Sequence, residues 1–148
     1  MINNIGVHIK VKDFAKSVRF YKDLGFREIF TYGPDKTAKE DYSGMTFEVG
    51  GAKLEIADGH RAVKPSVFKE TMESSKISLM INVDKLSSVV EVCNKVQIDI
   101  SVSVRHYYWG TLELVIKDPD GVVLVFIAPY DEAEAKKLGA DESWMEKR

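Results

Sequence analysis

Residues 5–14 read Ile-Gly-Val-His-Ile-Lys-Val-Lys-Asp-Phe, and residues 77–86 read Ile-Ser-Leu-Met-Ile-Asn-Val-Asp-Lys-Leu. Laid over one another, the two stretches place Ile5 on Ile77, Val7 on Leu79, Ile9 on Ile81 and Val11 on Val83, while His8 falls on Met80. Aliphatic residues at every second position mark a strand with one apolar face. Each stretch then enters a helical pattern. In the first copy Asp13 suits an N-cap, and Phe14, Val18, Tyr21 and Leu24 follow at helical spacing before Gly25, placed for a C-terminal cap. In the second copy Leu86, Val89, Val90 and Cys93 form the stripe.

The pattern continues in parallel beyond the helices. Strands are expected at 26–32, 42–49 and 52–57 in the first copy, with Gly33-Pro34-Asp35-Lys36 as a turn and Gly50-Gly51 as a tight hairpin. The second copy gives strands at 98–104, 111–117 and 122–128, the last two joined by Asp118-Pro119-Asp120-Gly121, whose Pro and Gly suit a type I turn. Gly-Ala-Lys-Leu-Glu-Ile (51–56) lies over Gly-Val-Val-Leu-Val-Phe (121–126), so Glu55 falls on Val125. The order βαβββ therefore occurs twice, an α+β chain with module one at 3–58, a polar linker at 59–76 with room for a short helix, module two at 77–129 and a tail at 130–148. In that tail Asp131, Glu132 and Glu134 precede Lys136, Lys137 and Gly139, the charge order that complements a helix dipole.

Bulk composition excludes several classes. A chain of 148 residues with 45% hydrophobic content supports one domain with a real core. A formal net charge of −2, with both signs interspersed, argues against nucleic acid or an anionic membrane as partner. The single Cys93 forbids an internal disulfide and, among valines, reads as a buried structural thiol. No stretch reads as a signal peptide, and none approaches the about 20 apolar residues that span a bilayer. The expected setting is the cytoplasm.

The segments HIKVKDFAKSVRFYKDLGF (8–26) and DPDGVVLVFI (118–127), framed by paired βαβββ modules, resemble the vicinal oxygen chelate superfamily. That group includes glyoxalase I, the bleomycin-resistance proteins, extradiol dioxygenases and methylmalonyl-CoA epimerase. The resemblance covers residues 3–129. It implies that the modules curl a mixed sheet into a cup with helices outside, that the cup floor takes a divalent metal or a small ligand, and that the chain forms a homodimer. It also implies that metal ligands would stand at His8, Glu55, Met80 and Val125.

Strand parity shows what would face such a cup if each aliphatic face packs under its own helix. Module one would present Gly6, His8, Lys10, Lys53, Glu55 and Ala57; module two would present Ser78, Met80, Asn82, Val123, Val125 and Ile127. Imidazole and carboxylate suit zinc-like or harder divalent ions, Met is a soft donor that prefers copper(I), and Val has no donor. Two ligands fall short of the three or four that hold such ions, so no resident metal is expected. The leading expectation is a binding protein for a small planar molecule, with His8, Lys10, Glu55 and Asn82 as polar handles over a floor of Met80, Val123, Val125 and Ile127. Phe47 and Trp109 are further candidate contacts, with Phe30 and Tyr32 as wall, although Phe30, Tyr32 and Phe47 could equally be ordinary core and the 107–109 aromatics could equally fill core or pack a dimer. His8 and Glu55 could equally pair with each other. An alternative is a metal enzyme with an unusual ligand set, completed by Glu113 or His106, in which Glu55 or Glu113 moves a proton. A further alternative is an interaction module without ligand. Residues 107–109 are read as an aromatic loop, and His60 and His106 as solvated loop residues.

Overall fold

The computed structural model describes residues 1–146. It divides into two compact units, Met1–Thr71 and Met72 onward. The first comprises β1 (Gly6–Lys10), α1 (Phe14–Asp23), β2 (Arg27–Tyr32), β3 (Gly44–Val49), β4 (Ala52–Ala57) and a 3-10 turn at Pro65–Lys69. The second comprises β5 (Ser78–Asn82), α2 (Leu86–Val96), β6 (Ile100–Tyr107), β7 (Thr111–Lys117), β8 (Val123–Pro129), α3 (Glu132–Leu138) and a 3-10 turn at Glu142–Met145. Each unit holds one four-stranded mixed sheet, ordered β1-β4-β3-β2 and β5-β8-β7-β6. The α+β architecture and the twofold βαβββ order agree with the sequence reading. No helix among the described residues is long and apolar enough to cross a membrane.

Local chemistry explains the boundaries. The Asp13 side chain accepts a hydrogen bond from the Lys16 backbone N–H and starts α1. Asp131 does the same for Glu134 and starts α3, which Gly139 ends in the left-handed conformation. The 118–121 turn closes through Gly121 N–H to the Asp118 carbonyl at 3.0 Å, and Asp118 Oδ1 accepts from both Asp120 and Val122 N–H groups. Helix α2 differs: its N-cap Lys85 makes no side-chain capping bond, and buried Glu134 of α3 reaches across to accept from Ser87 N–H at 3.1 Å. That bond holds the Glu134 carboxyl below the usual carboxylate range.

Two expectations are corrected. Strand β6 runs to Tyr107, three residues beyond the predicted end, so His106 is a strand residue and not a solvated loop group. It pairs with Leu112, is 6% exposed, stacks on Tyr130 at 3.8 Å and sets Nδ1 2.6 Å from Glu142. The burial comes from the C-terminal segment, which the local sequence does not announce. Phe47 is the second correction. It is fully buried among Tyr21 and Phe26 beneath α1, because strand parity turns Thr46 to one face of β3 and Phe47 to the other.

Candidate polar site of the first module

Parallel pairing of β1 with β4 sets His8 beside Glu55, Gly6 beside Lys53 and Lys10 beside Ala57. Thr46 of β3 pairs with Glu55, and Phe30 of β2 pairs with Thr46. One row, His8-Glu55-Thr46-Phe30, thus crosses all four strands of the first sheet. It lines a cavity of about 440 Å³ together with Lys53 and Ile29. Phe30 is 51% exposed, so a large ring lies open beside the polar pair.

The hydrogen bonding of Glu55 is specific. Tyr32 donates its hydroxyl to Glu55 Oε2 at 2.6 Å, while His8 Nε2 stands 3.1 Å from the same oxygen. The His8 separation suits a hydrogen bond but the direction of approach does not, which leaves Nε2 buried without a well-formed bond. Burial lowers the His8 pKa below its ordinary value, the Lys10 charge adds to the effect, and Glu55 partly opposes it. A neutral imidazole results. Burial and the bond to Glu55 push the Tyr32 phenol well upward, so it stays a donor.

An outer layer braces this group. The Tyr32 ring lies over Gly44, where an added Cβ would stand 2.0 Å from ring carbon Cζ. Tyr42 meets Tyr32 edge-on at 5.9 Å, and the exposed His60 meets His8 edge-on at 5.7 Å. Glu40 ties Tyr42 to Arg61 by accepting from both side chains, and the Arg61 guanidinium lowers the Glu40 pKa. His60 is therefore a loop residue, as the sequence reading holds, yet it stands against the site.

The equivalent row of the second sheet is Met80-Val125-Val115-Val102. It carries no nitrogen or oxygen donor, and Met80 is 70% exposed. Asn82 pairs with Ile127 and is exposed; Glu113 pairs with Ile127 from the other side. Glu113 is engaged locally, accepting from Thr111 Oγ1 at 2.7 Å and from Trp109 Nε1 at 3.2 Å. Trp109 itself stacks on Tyr107 at 4.4 Å. These contacts occupy the candidate acid and the candidate aromatic with each other.

A divalent metal does not fit these donors. Within the first unit His8 and Glu55 are two neighbouring donors, short of the three or four that hold such ions, and Glu55 Oε2 already accepts from Tyr32. No group of three His, Cys, Asp or Glu side chains among the described residues could hold a metal ion. Sequence reasoning named Tyr32 as wall without seeing its bond to Glu55, and it missed Thr46 and the approach of His60. Strand parity on β3 would have found Thr46.

Residues 2–126 match the model of the Glyoxalase/Bleomycin resistance protein/Dioxygenase superfamily. Among solved structures, a glutamate-to-glutamine mutant of the fosfomycin resistance protein FosX from Listeria monocytogenes, complexed with Mn(II) and 1S,2S-dihydroxypropylphosphonic acid, aligns with a TM-score of 0.70. It shares 16% identity, over 92% of this chain and 99% of that one. FosX from Mesorhizobium loti aligns at 0.63 with 14% identity, over 93% and 99%, and protein PA1353 from Pseudomonas aeruginosa at 0.63 with 16%, over 88% and 100%. At such identities the likeness is one of fold. No sequence of curated function matches the chain.

Proposed function

This chain belongs to the Glyoxalase/Bleomycin resistance protein/Dioxygenase superfamily, and from that premise we propose that it binds a small planar molecule through hydrogen bonds in place of a metal. The observation that carries this reading is His8 Nε2, buried at the cavity wall without a well-formed bond beside a Glu55 carboxylate that Tyr32 holds in place. An imidazole nitrogen 3.1 Å from a carboxylate oxygen without a well-formed bond to it is open to a better-placed partner, and a ligand edge bearing a donor or acceptor supplies one. Phe30 and Ile29 offer a ligand face apolar contact, and Lys53 a charge at the rim. Lys10 donates to the His8 carbonyl at 3.4 Å, and its charge adds to the burial that lowers the His8 pKa. In the second module Met80 and Val125 would contribute apolar surface, and Asn82 one amide. The chain is proposed to work as a cytoplasmic homodimer, a state that light scattering tests directly.

Metal analysis of protein purified without a histidine tag, followed by a thermal-shift screen of planar aromatic and acyl compounds, tests the proposal. A ligand at a hundred times its Kd stabilises by about 2.7 kcal/mol, readily seen as a raised melting temperature. The expected result is substoichiometric metal and at least one compound whose shift is lost in Glu55→Gln. Stoichiometric manganese, nickel, zinc or iron overturns the metal-free reading. A screen without any stabilising compound favours a module that binds nothing.

A further inference from the structure

A second cavity, of about 390 Å³, lies in the first unit at the carboxyl ends of β1 and β4, where parallel strands commonly open onto ligand crevices. Val11 follows β1 and Asp58 follows β4, and the 3-10 turn at Pro65–Lys69 covers the slot. Its interior is hydrocarbon: Val11 and Phe68 are buried, and Val63 and Pro65 complete the wall.

Its polar groups are nearly all donors. Lys12 and Lys69 both line the slot, and Lys12 is held there by a hydrogen bond to Thr71 Oγ1. His60 accepts from the Ala62 N–H on Nδ1 at 3.1 Å, which assigns the imidazole hydrogen to Nε2 and makes that nitrogen a donor. Asp58 is the opposing acceptor, and its Oδ1 is taken by the Ser43 N–H at 2.8 Å. Two cations and a neutral donor around an apolar slot match an anion carried on an apolar stem.

We propose that this slot is a ligand site for a small carboxylate with an apolar tail, its head group held by Lys12, Lys69 and His60 and its tail lying on Val11, Val63 and Phe68. The site is separate from the His8–Glu55 cavity and does not depend on what that cavity binds. His60 lines the slot, and its ring meets His8 edge-on at 5.7 Å.

Octanoate, kept below its micelle concentration, is the probe, titrated into the full chain and followed by methyl and amide NMR. Saturable shifts centred on Val11, Val63 and Phe68 are expected. The affinity should fall at least tenfold in the double variant Lys12→Met with Lys69→Met, and hold in Glu55→Gln. Val63→Trp, which fills the slot without touching a charge, should abolish binding and keeps the test decisive if the lysine pair proves necessary for folding. Equal binding of octanol, or unchanged affinity in the lysine variant, overturns recognition of the anion. Shifts centred on Thr46 and Glu55 would assign the carboxylate to the other cavity and overturn the site, while leaving the planar-ligand proposal intact. No saturable shift overturns it outright.

Discussion

Replacing Gly44 by Ala tests how the Glu55 carboxylate is held. The new Cβ would stand 2.0, 2.3 and 2.4 Å from Cζ, Oη and Cε2 of Tyr32, where ordinary contact begins at 3.4 Å. The ring must therefore recede by more than an ångström, which breaks the 2.6 Å bond from its hydroxyl to Glu55. Overpacking of this kind costs about 1–3 kcal/mol, and losing the hydrogen bond adds about 1 kcal/mol. Gly44 lies in a strand and lacks a positive φ, so Ala also stiffens the unfolded chain, an offset of about 0.4–1 kcal/mol. The net loss is about 2 kcal/mol, equivalent to a urea midpoint lower by roughly 1 M at an m-value of about 2 kcal/mol/M. Far-UV circular dichroism is the appropriate signal, because both tryptophans, Trp109 and Trp144, lie in the second unit. In a Tyr32→Ala background the clash is absent, so Gly44→Ala should become neutral or slightly stabilising. An equal cost in both backgrounds would refute the reasoning.

Three further outcomes are expected. The lowered His8 pKa means that the unfolded chain binds a proton more readily than the folded one, so the His8 contribution is present above the unfolded value of 6.5 and is lost progressively as pH falls from there through the lower folded value; urea midpoints at several pH values should fall more steeply in the parent than in His8→Asn. Gly121→Ala combines a φ of 85° with a Cβ 2.2 Å from the Met72 backbone carbonyl, whereas Gly50→Ala, at φ 58°, meets open space. Denaturant unfolding should show about 1–2 kcal/mol for Gly50→Ala and clearly more for Gly121→Ala. His106→Ala removes the Tyr130 stack and the Glu142 contact from a buried position, and should cost about 2 kcal/mol while exposing the C-terminal segment to limited proteolysis.

What the sequence made legible is what short-range chemistry decides. Asp13, Asp131, Gly139 and the 118–121 turn act within four residues of themselves, and all sit where the pattern placed them. Strand period put His8 and Glu55 each on the non-aliphatic face of its strand, while their juxtaposition was implied by the family resemblance, and the parallel β1–β4 pairing sets them side by side. The misses share the opposite property. His106 owes its burial to Tyr130 and Glu142, and the α2 cap comes from Glu134, more than forty residues downstream. Tyr32 reaches Glu55 across a register shift between Glu28 and Phe30 in the β2–β3 ladder, and such a bulge re-aims every later side chain on its strand. Phe47 is the exception, since alternation of Thr46 and Glu48 with apolar neighbours is a local signal that points it to the core.

The two rows also bear on why the second module carries only apolar side chains at the equivalent positions. If Met80 and Val125 were merely relics at an abandoned site, a strand face as open as that of Met80 could carry polar residues at no cost. Instead Met80, Val125, Val115 and Val102 make four apolar residues in register, opposite in character to His8, Glu55 and Thr46 in the first sheet. The proposed function assigns hydrogen bonding to the first row and apolar contact to the second. Met80→Gln separates this from relic status, because it keeps the length of the side chain and, at an exposed position, should change stability by no more than about 0.5 kcal/mol. For a ligand found by the thermal-shift screen, loss of one apolar contact of this size predicts an affinity lower by roughly tenfold, since each buried methylene is worth about 0.8 kcal/mol. Calorimetric titration showing unchanged affinity would confine recognition to the polar row.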